Sequence, residues 1–323
     1  MPHLFDLPHA SLRALLETGA PVYLPVNPVE FHGPHLSLRN DFHVSEGLTR
    51  DLHARLAARH PEWPLLQASP IELGVEPAPG PGSRHTKFRE LRSAVREACR
   101  ALAEVGAKRV VLVTFHGAPL HAWALEAGVE LLGRLGVQAF SPLNLVLEEM
   151  LTVDGGRYAA AFAQIENPAE REEMQRDLKT DFHAGFFETS MALHHAPQTV
   201  SPTYAALPPC PAVRPDRTFA KAARAARALG WTRLAAELEL AAAGLGWQAL
   251  RPFPGYTGRP HRATAAAGAV FSRAIVDRYA EAAEAVFAGK ARSPRPILGW
   301  LVAASLGGRV GPQPVPLGQI ANV

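Results

Sequence analysis

The sequence predicts an α/β protein with buried parallel strands, and three observations carry that prediction. Two short β-favouring runs, PVYLPV at 21 to 26 and RVVLVTF at 109 to 115, are apolar without alternation, as strands covered on both faces are. Ahead of the second run lies the clearest helix of the chain, over 87 to 105, which makes a helix-to-strand crossover. Carboxylates and histidines follow the runs directly: Glu30 and His32 past the first, His116 past the second. In open α/β sheets that carboxyl edge is where ligands bind.

The remaining elements follow in chain order. Residues 10 to 18 read as a short amphipathic helix with Ser11 as cap and Gly19 as stop. After the first strand, Leu48, Leu52 and Leu56 recur at four-residue spacing and predict a helix over 44 to 59 with one buried face. On that helix His53, and at its end His60, are expected at the surface or boundary, while His43, two residues after Asp41, stays open as a ligand. Residues 64 to 73 read as a second strand, followed by a Pro- and Gly-rich loop to Ser83. In the helix at 87 to 105, Phe88, Leu91, Val95, Cys99, Leu102 and Val105 share one face and Gly106 is the stop. Pro119 opens a helix to 135, and Gly136 closes it before the strand VQAF. Residues 151 to 180 are polar and predict a surface excursion. Residues 216 to 245 are Ala- and Leu-rich and helical, with packing or oligomer contact as their expected role. A last amphipathic helix runs to about 288, and after Gly289 comes a Pro- and Gly-rich tail whose run ILGWLVAASL could dock on this subunit or a neighbour.

Composition excludes several classes. The 323 residues are 47% apolar, enough for one large α/β domain or two smaller ones. A formal charge of +3, with basic residues scattered along helical stretches, does not imply nucleic acid. Cys99 and Cys210 have no metal-type spacing and frame no disulfide scaffold. The start lacks the basic residue and long apolar run of a signal peptide, and no stretch approaches the roughly 20 apolar residues of a membrane span. A cytoplasmic protein without membrane or nucleic-acid partners is expected.

The stretch PVNPVEFHGPHLSLRND at 25 to 41 concentrates chemistry. Glu30 and His32 are two apart in a non-helical segment, and Gly33-Pro34 turns the chain so that Asp41 can return towards them. Oxygen and imidazole donors of this kind suit zinc, manganese or iron. Further on, DFHAGFFETS at 181 to 190 offers His183 and Glu188. Read alone, His183 caps a helix and Glu188 is a solvated helical residue.

The run E-x-H-G-P-H-L-x-L-x-x-D formed by Glu30 to Asp41 resembles the signature of the creatininase family of metal-dependent amidohydrolases. Later stretches resemble the same family in the same order. His116-Gly117 matches the core of its Asn-Gly-His-Gly-Gly-Asn loop, with Thr114, Phe115, Ala118 and Pro119 departing from the flanks. The 181 to 190 stretch matches every fixed position of its His-Ala-Gly and Glu-Thr-Ser motif, and GYTGRPHRATAAAGAVF resembles its late Gly- and Pro-containing pattern. Pro81-Gly82-Ser83 looks like the counterpart of a Pro-Gly-Thr beside the family's active site.

That resemblance implies a three-layer α/β/α sandwich with a mostly parallel central sheet, a single domain over 1 to 289 and a tail over 290 to 323. It also implies two divalent ions per chain, zinc, manganese or iron. Asp41 would bridge them, with Glu30 and His116 completing one site and His32 and Glu188 the other. Some members use an acidic residue two after the loop histidine, where this chain has Ala118. His183 becomes the catalytic histidine, and Ser83, His85 and Phe115 are expected at the substrate. The implied reaction is hydrolysis of a non-peptide or cyclic C–N bond of a small-molecule amide by a hydroxide held between the metals. Family members associate as dimers and hexamers, so a homo-oligomer is expected. A nucleotide-binding Rossmann protein is disfavoured because no G-x-G-x-x-G follows a strand. A degenerate member kept for metal binding or assembly would show intact ligands and no amide turnover.

Overall fold

The computed structural model describes residues 3–309 and 314–322. Its centre is a parallel four-stranded sheet, and every strand of it is short. β1 (Val22–Pro25) pairs on one side with β2 (Leu66–Gln67) and on the other with β3 (Arg109–Val113), and β3 pairs with β4 (Gln138–Phe140). The spatial order β2-β1-β3-β4 means that the chain steps outward from β1 and then returns to its other side. The switch point therefore falls between β1 and β3, whose registers run from Val22 with Val110 to Pro25 with Val113.

Around the sheet, in chain order, lie α1 (His9–Glu17), α2 (Asn40–Ala57), α3 (Phe88–Glu104), α4 (Pro119–Arg134), α5 (Leu143–Met150), α6 (Pro168–Asp177), α7 (Phe186–His195), α8 (Arg217–Ala228), α9 (Thr232–Gln248), α10 (Ala265–Phe287) and α11 (Trp300–Ala304). Strand alternation assigns the two faces. The Tyr23 hydroxyl of β1 meets His53 on α2, and α2 packs with α7 and α10. Leu112 of β3 points the other way and touches α4 at Gly128, where Val95 and Cys99 of α3 also pack. The result is the expected three-layer α/β/α sandwich. The stripe of α3 is buried as its spacing predicts, with Leu91, Val95 and Leu102 wholly inaccessible, so Leu→Ala there would cost about 2 to 5 kcal/mol. Among the described residues no helix is long and apolar enough to cross a membrane.

Several elements differ from expectation. The second strand is confined to Leu66–Gln67 because Pro70 offers no N–H; Ile71 rejoins the sheet only as a bridge with Val26. Helix α2 starts at Asn40, four residues early, because its first turn buries polar Asn40 and Asp41, which an apolar pattern does not register. His53, expected at the surface or boundary, is buried against Tyr23. Residues 151 to 180 are no mere surface excursion: they form α6 and a 3-10 stretch (Gly155–Phe162) whose Phe162 stacks on Phe186 at 5.0 Å. The single helical region at 216 to 245 is two helices, parted at Gly230, where φ is +78°. The tail run docks on its own subunit. The Trp123 indole donates to the Ile297 carbonyl at 2.9 Å, and the Trp300 indole to Glu237 at 3.0 Å.

Candidate metal centre and active site

The switch point positions the site. Past β1 the chain reaches Asn27, whose side-chain oxygen accepts from the Phe115 amide at 3.0 Å and the Thr114 hydroxyl at 3.1 Å, while its amide donates to Ser45 on α2 at 3.0 Å. One side chain thus ties together the three segments that carry Glu30, His116 and Asp41. Asp41 lies in the first turn of α2, where the positive end of the helix favours a carboxylate.

All six expected ligand and catalytic residues come together, and all are buried. Asp41 turns one oxygen to each of two histidines: Oδ1 is 3.1 Å from His32 Nε2, and Oδ2 is 3.7 Å from His116 Nδ1. Glu30 Oε2 is 2.7 Å from His116 Nδ1, and Glu188 Oε2 is 3.7 Å from His32 Nε2. His183 stacks on His32 with ring centroids 4.4 Å apart, its Nδ1 3.8 Å from Glu30 Oε1. Two sets of ligand atoms lie within 4.8 Å of one another: Glu30, Asp41 and His116, and Glu30, His32 and His183.

Hydrogen bonding fixes which ring nitrogens are bare. His116 Nε2 lies 2.9 Å from the Val75 carbonyl, His183 Nε2 2.9 Å from the Phe31 carbonyl, and His32 Nδ1 3.1 Å from the Glu30 carbonyl. A carbonyl only accepts, so each of these nitrogens carries a hydrogen, and in the neutral ring the other nitrogen presents a lone pair to the carboxylates. Glu30 Oε2 and Asp41 Oδ2 are buried and face the same His116 Nδ1, at 2.7 and 3.7 Å. Lone pairs opposed to carboxylates in a buried site call for a cation between them, and ring N–H groups anchored on backbone carbonyls are how metal-binding histidines are oriented. The donor set therefore fits divalent metal.

Without metal, protons must fill the same gaps. Burial lowers the His32 pKa, but Asp41, Glu30 and Glu188 outweigh it and raise it to about 10; for His116, Glu30 and Asp41 overcome burial and raise it to about 9. Burial, only partly offset by His32, pushes Glu188 up to about 8. His183 falls well below the usual imidazole range, through burial and then His32, so it is neutral.

Local structure explains how α7 delivers its residues. Asp181 accepts from the Phe186 and Phe187 amides at 2.9 and 3.3 Å and so caps the helix start. Ala184 adopts φ +47°, and its amide donates to Glu188 Oε2 at 2.6 Å, which holds that oxygen 3.7 Å from His32 Nε2. Gly185 is required by crowding: a Cβ there would stand 1.7 Å from Asp181 Oδ1 and 2.6 Å from the Thr257 carbonyl.

The cluster opens into a cavity of about 530 Å³. Phe115 lines it; Ser83 and His85 do not. Ser83 instead joins two loops, accepting from the Phe31 amide at 2.9 Å and donating to the Ala78 carbonyl at 2.6 Å, while the Ala78 amide in turn reaches Glu30 Oε1 at 2.5 Å. His85 is exposed, and His43 sits on α2 outside the cluster. Sequence reasoning missed Glu76, Asp181 and Trp247, which all line the cavity. Asp181 had a signal in standing two before His183. Trp247, whose ring centroid is 4.9 Å from that of His183, had none within an Ala- and Leu-rich helix.

The sequence profile of the creatininase family, described as creatinine amidohydrolase, matches residues 6–283. The chain belongs to that family of hydrolases. It is similar to the mycofactocin precursor peptide peptidase of Mycobacterium ulcerans (strain Agy99), 28% identical over 211 residues that cover 62% of this chain and 68% of that one. The Mycobacterium tuberculosis (strain ATCC 25618 / H37Rv) peptidase of the same name is 28% identical over 208 residues, with the same coverage of 62% and 68%. Among solved structures, a Zn-Zn type creatininase mutant aligns with a TM-score of 0.57 at 17% identity, covering 89% of this chain and 99% of that one. A putative creatinine amidohydrolase from Bacteroides fragilis aligns at 0.55 and 18% identity, covering 82% and 89%. At such identities the structures speak for the fold alone.

Proposed function

We propose that the chain hydrolyses a non-peptide or cyclic amide C–N bond of a small molecule, with two divalent ions, zinc, manganese or iron, at this centre. The observation that carries the reading is the shared posture of three buried histidines, each giving its N–H to a backbone carbonyl and turning its bare nitrogen on a carboxylate. Glu30, Asp41 and His116 would hold one ion, and Asp41, His32 and Glu188 the other. Ions bound there supply Lewis acidity towards a carbonyl oxygen and acidify water. The remaining work falls to the chain. The Val75, Phe31 and Glu30 carbonyls keep the rings in place. The bare Nδ1 of His183 takes a proton from the attacking water and hands it to the leaving nitrogen, a task worth about 10² to 10⁴ in rate. Apolar walls keep bulk water from the reacting atoms.

The names of the mycobacterial relatives support a second reading, cleavage of a peptide bond at the same centre. Elemental analysis of protein never exposed to chelator should find about two divalent ions per chain, alongside amine release from a panel of cyclic amides and peptides. Protein prepared this way that holds none would sink the hydrolase reading, and full metal content without turnover of any amide would select a binding or assembly role.

A further inference from the structure

The cavity is far larger than its ligand cluster, and most of its outer wall comes from segments with no visible chemistry. Beyond Glu30 and His183 the surface is built by Phe187 of α7, Leu147 of α5, Leu240 and Leu245 of α9, and Leu298 and Leu301 around the start of α11. The last two lie outside residues 6–283, the part matched by the family profile.

Most of the polar groups on the walls are already engaged, Gln248 apart. Glu149 is held by Arg278, by Arg157 at 2.9 Å and by the Tyr158 hydroxyl at 2.8 Å. Asp181 caps α7, and Glu76 accepts from the Leu120 amide at 3.3 Å. Among the described residues no Lys or Arg lines the cavity. A phosphate or a carboxylate tail would find no cationic partner on these walls, and the Gln248 amide alone offers a polar group little. An apolar group would displace water from Leu and Phe side chains, gaining about 0.8 kcal/mol per buried methylene. At about 30 Å³ per water-sized group, a volume of 530 Å³ has room for on the order of 18 of them, so a ring the size of creatinine would leave most of it empty.

We propose that the substrate carries a bulky uncharged apolar group beside the scissile amide, seated on Phe187, Leu240, Leu245 and Leu301. This rests on the hydrolase reading, because the metal cluster anchors the amide end. The test is a series of straight-chain alkyl hydroxamates, from acetohydroxamate to octanohydroxamate, titrated calorimetrically into metal-loaded protein. The hydroxamate head fixes one end on the metals and the tail samples the wall. Affinity should rise roughly three- to fourfold for each methylene. In Leu301→Trp, which narrows the far end, the ratio of octano- to acetohydroxamate affinity should fall at least tenfold. Should that variant fail to fold, the series on the unaltered protein still decides. Acetohydroxamate binding as tightly as octanohydroxamate overturns the apolar seat and leaves the hydrolase reading standing. Protein that holds no metal and binds no hydroxamate overturns both.

Discussion

Loading the metal-free protein with divalent ions should release protons, and the number can be worked from the site. Asp41, Glu30 and Glu188 raise His32 to about 10, against the burial that lowers it, and Glu30 with Asp41 likewise raise His116 to about 9. Burial pushes Glu188 to about 8. All three groups are therefore protonated at pH 7 in the metal-free fold, and all three must give up the proton to ligate. Loading both sites at pH 7 should release about three protons per chain, and at pH 9 about half as many. Calorimetry in two buffers of different ionisation enthalpy counts them directly. Stability of the metal-free form follows from the same groups. Their folded pKa values lie above the unfolded ones, so their contribution is complete below the unfolded values and fades as pH rises through about 8 to 10. The gap in Tm between metal-loaded and metal-free protein should widen over that window. Release of fewer than one proton, or release that does not change between pH 6 and 9, would refute the account of lone pairs facing carboxylates.

Glu188→Gln should lower metal content and activity together, whereas His183→Ala should keep both ions and lose about 10² to 10⁴ in turnover; metal analysis and rates on the same preparations decide, and loss of an ion from His183→Ala alone would exchange the two roles. Gly185→Ala, whose Cβ would stand 1.7 Å from Asp181, should destabilise by about 1 to 3 kcal/mol in urea titration and lower metal content by dislodging the start of α7. Gly133→Ala, in a helix with nothing within 4 Å of the added Cβ, should be neutral or stabilising by about 0.5 to 1 kcal/mol in the same titration. A homo-oligomer is expected by light scattering at micromolar concentration, with Leu229 and Trp231, 64% and 58% exposed, as the apolar surface to bury; a monomer would count against it.

Elements with a single dominant constraint were legible. The stripe of α3 and the buried runs of β1 and β3 each follow from one periodicity. Where two constraints compete, the reading slipped. Asn40 and Asp41 are buried because they serve the site, so the start of α2 carries no apolar mark. Phe162 sits in a polar segment, and one aromatic that packs on Phe186 and Phe271 is enough to pull that segment against the core.

The metal centre and the substrate wall differ in legibility for a physical reason. A ligand position tolerates few residue types, since only imidazole or carboxylate supplies the lone pair, and the backbone must aim it. Glu30, His32, Asp41, His116, His183 and Glu188 therefore stand out one by one, although they lie on four separate segments. A wall position tolerates any apolar side chain of suitable volume. On α9, Leu238 is buried in a small apolar cluster with Ala223, Ala226 and Ala235, while Leu240 and Leu245 face the cavity. The three leucines share one helix and one composition, and what separates them is whether the space opposite is filled. That depends on α5, α7 and the stretch around Leu298 and Leu301 arriving from elsewhere in the chain. The same chemistry that makes the reaction class readable from six residues leaves the substrate written only in the assembled walls.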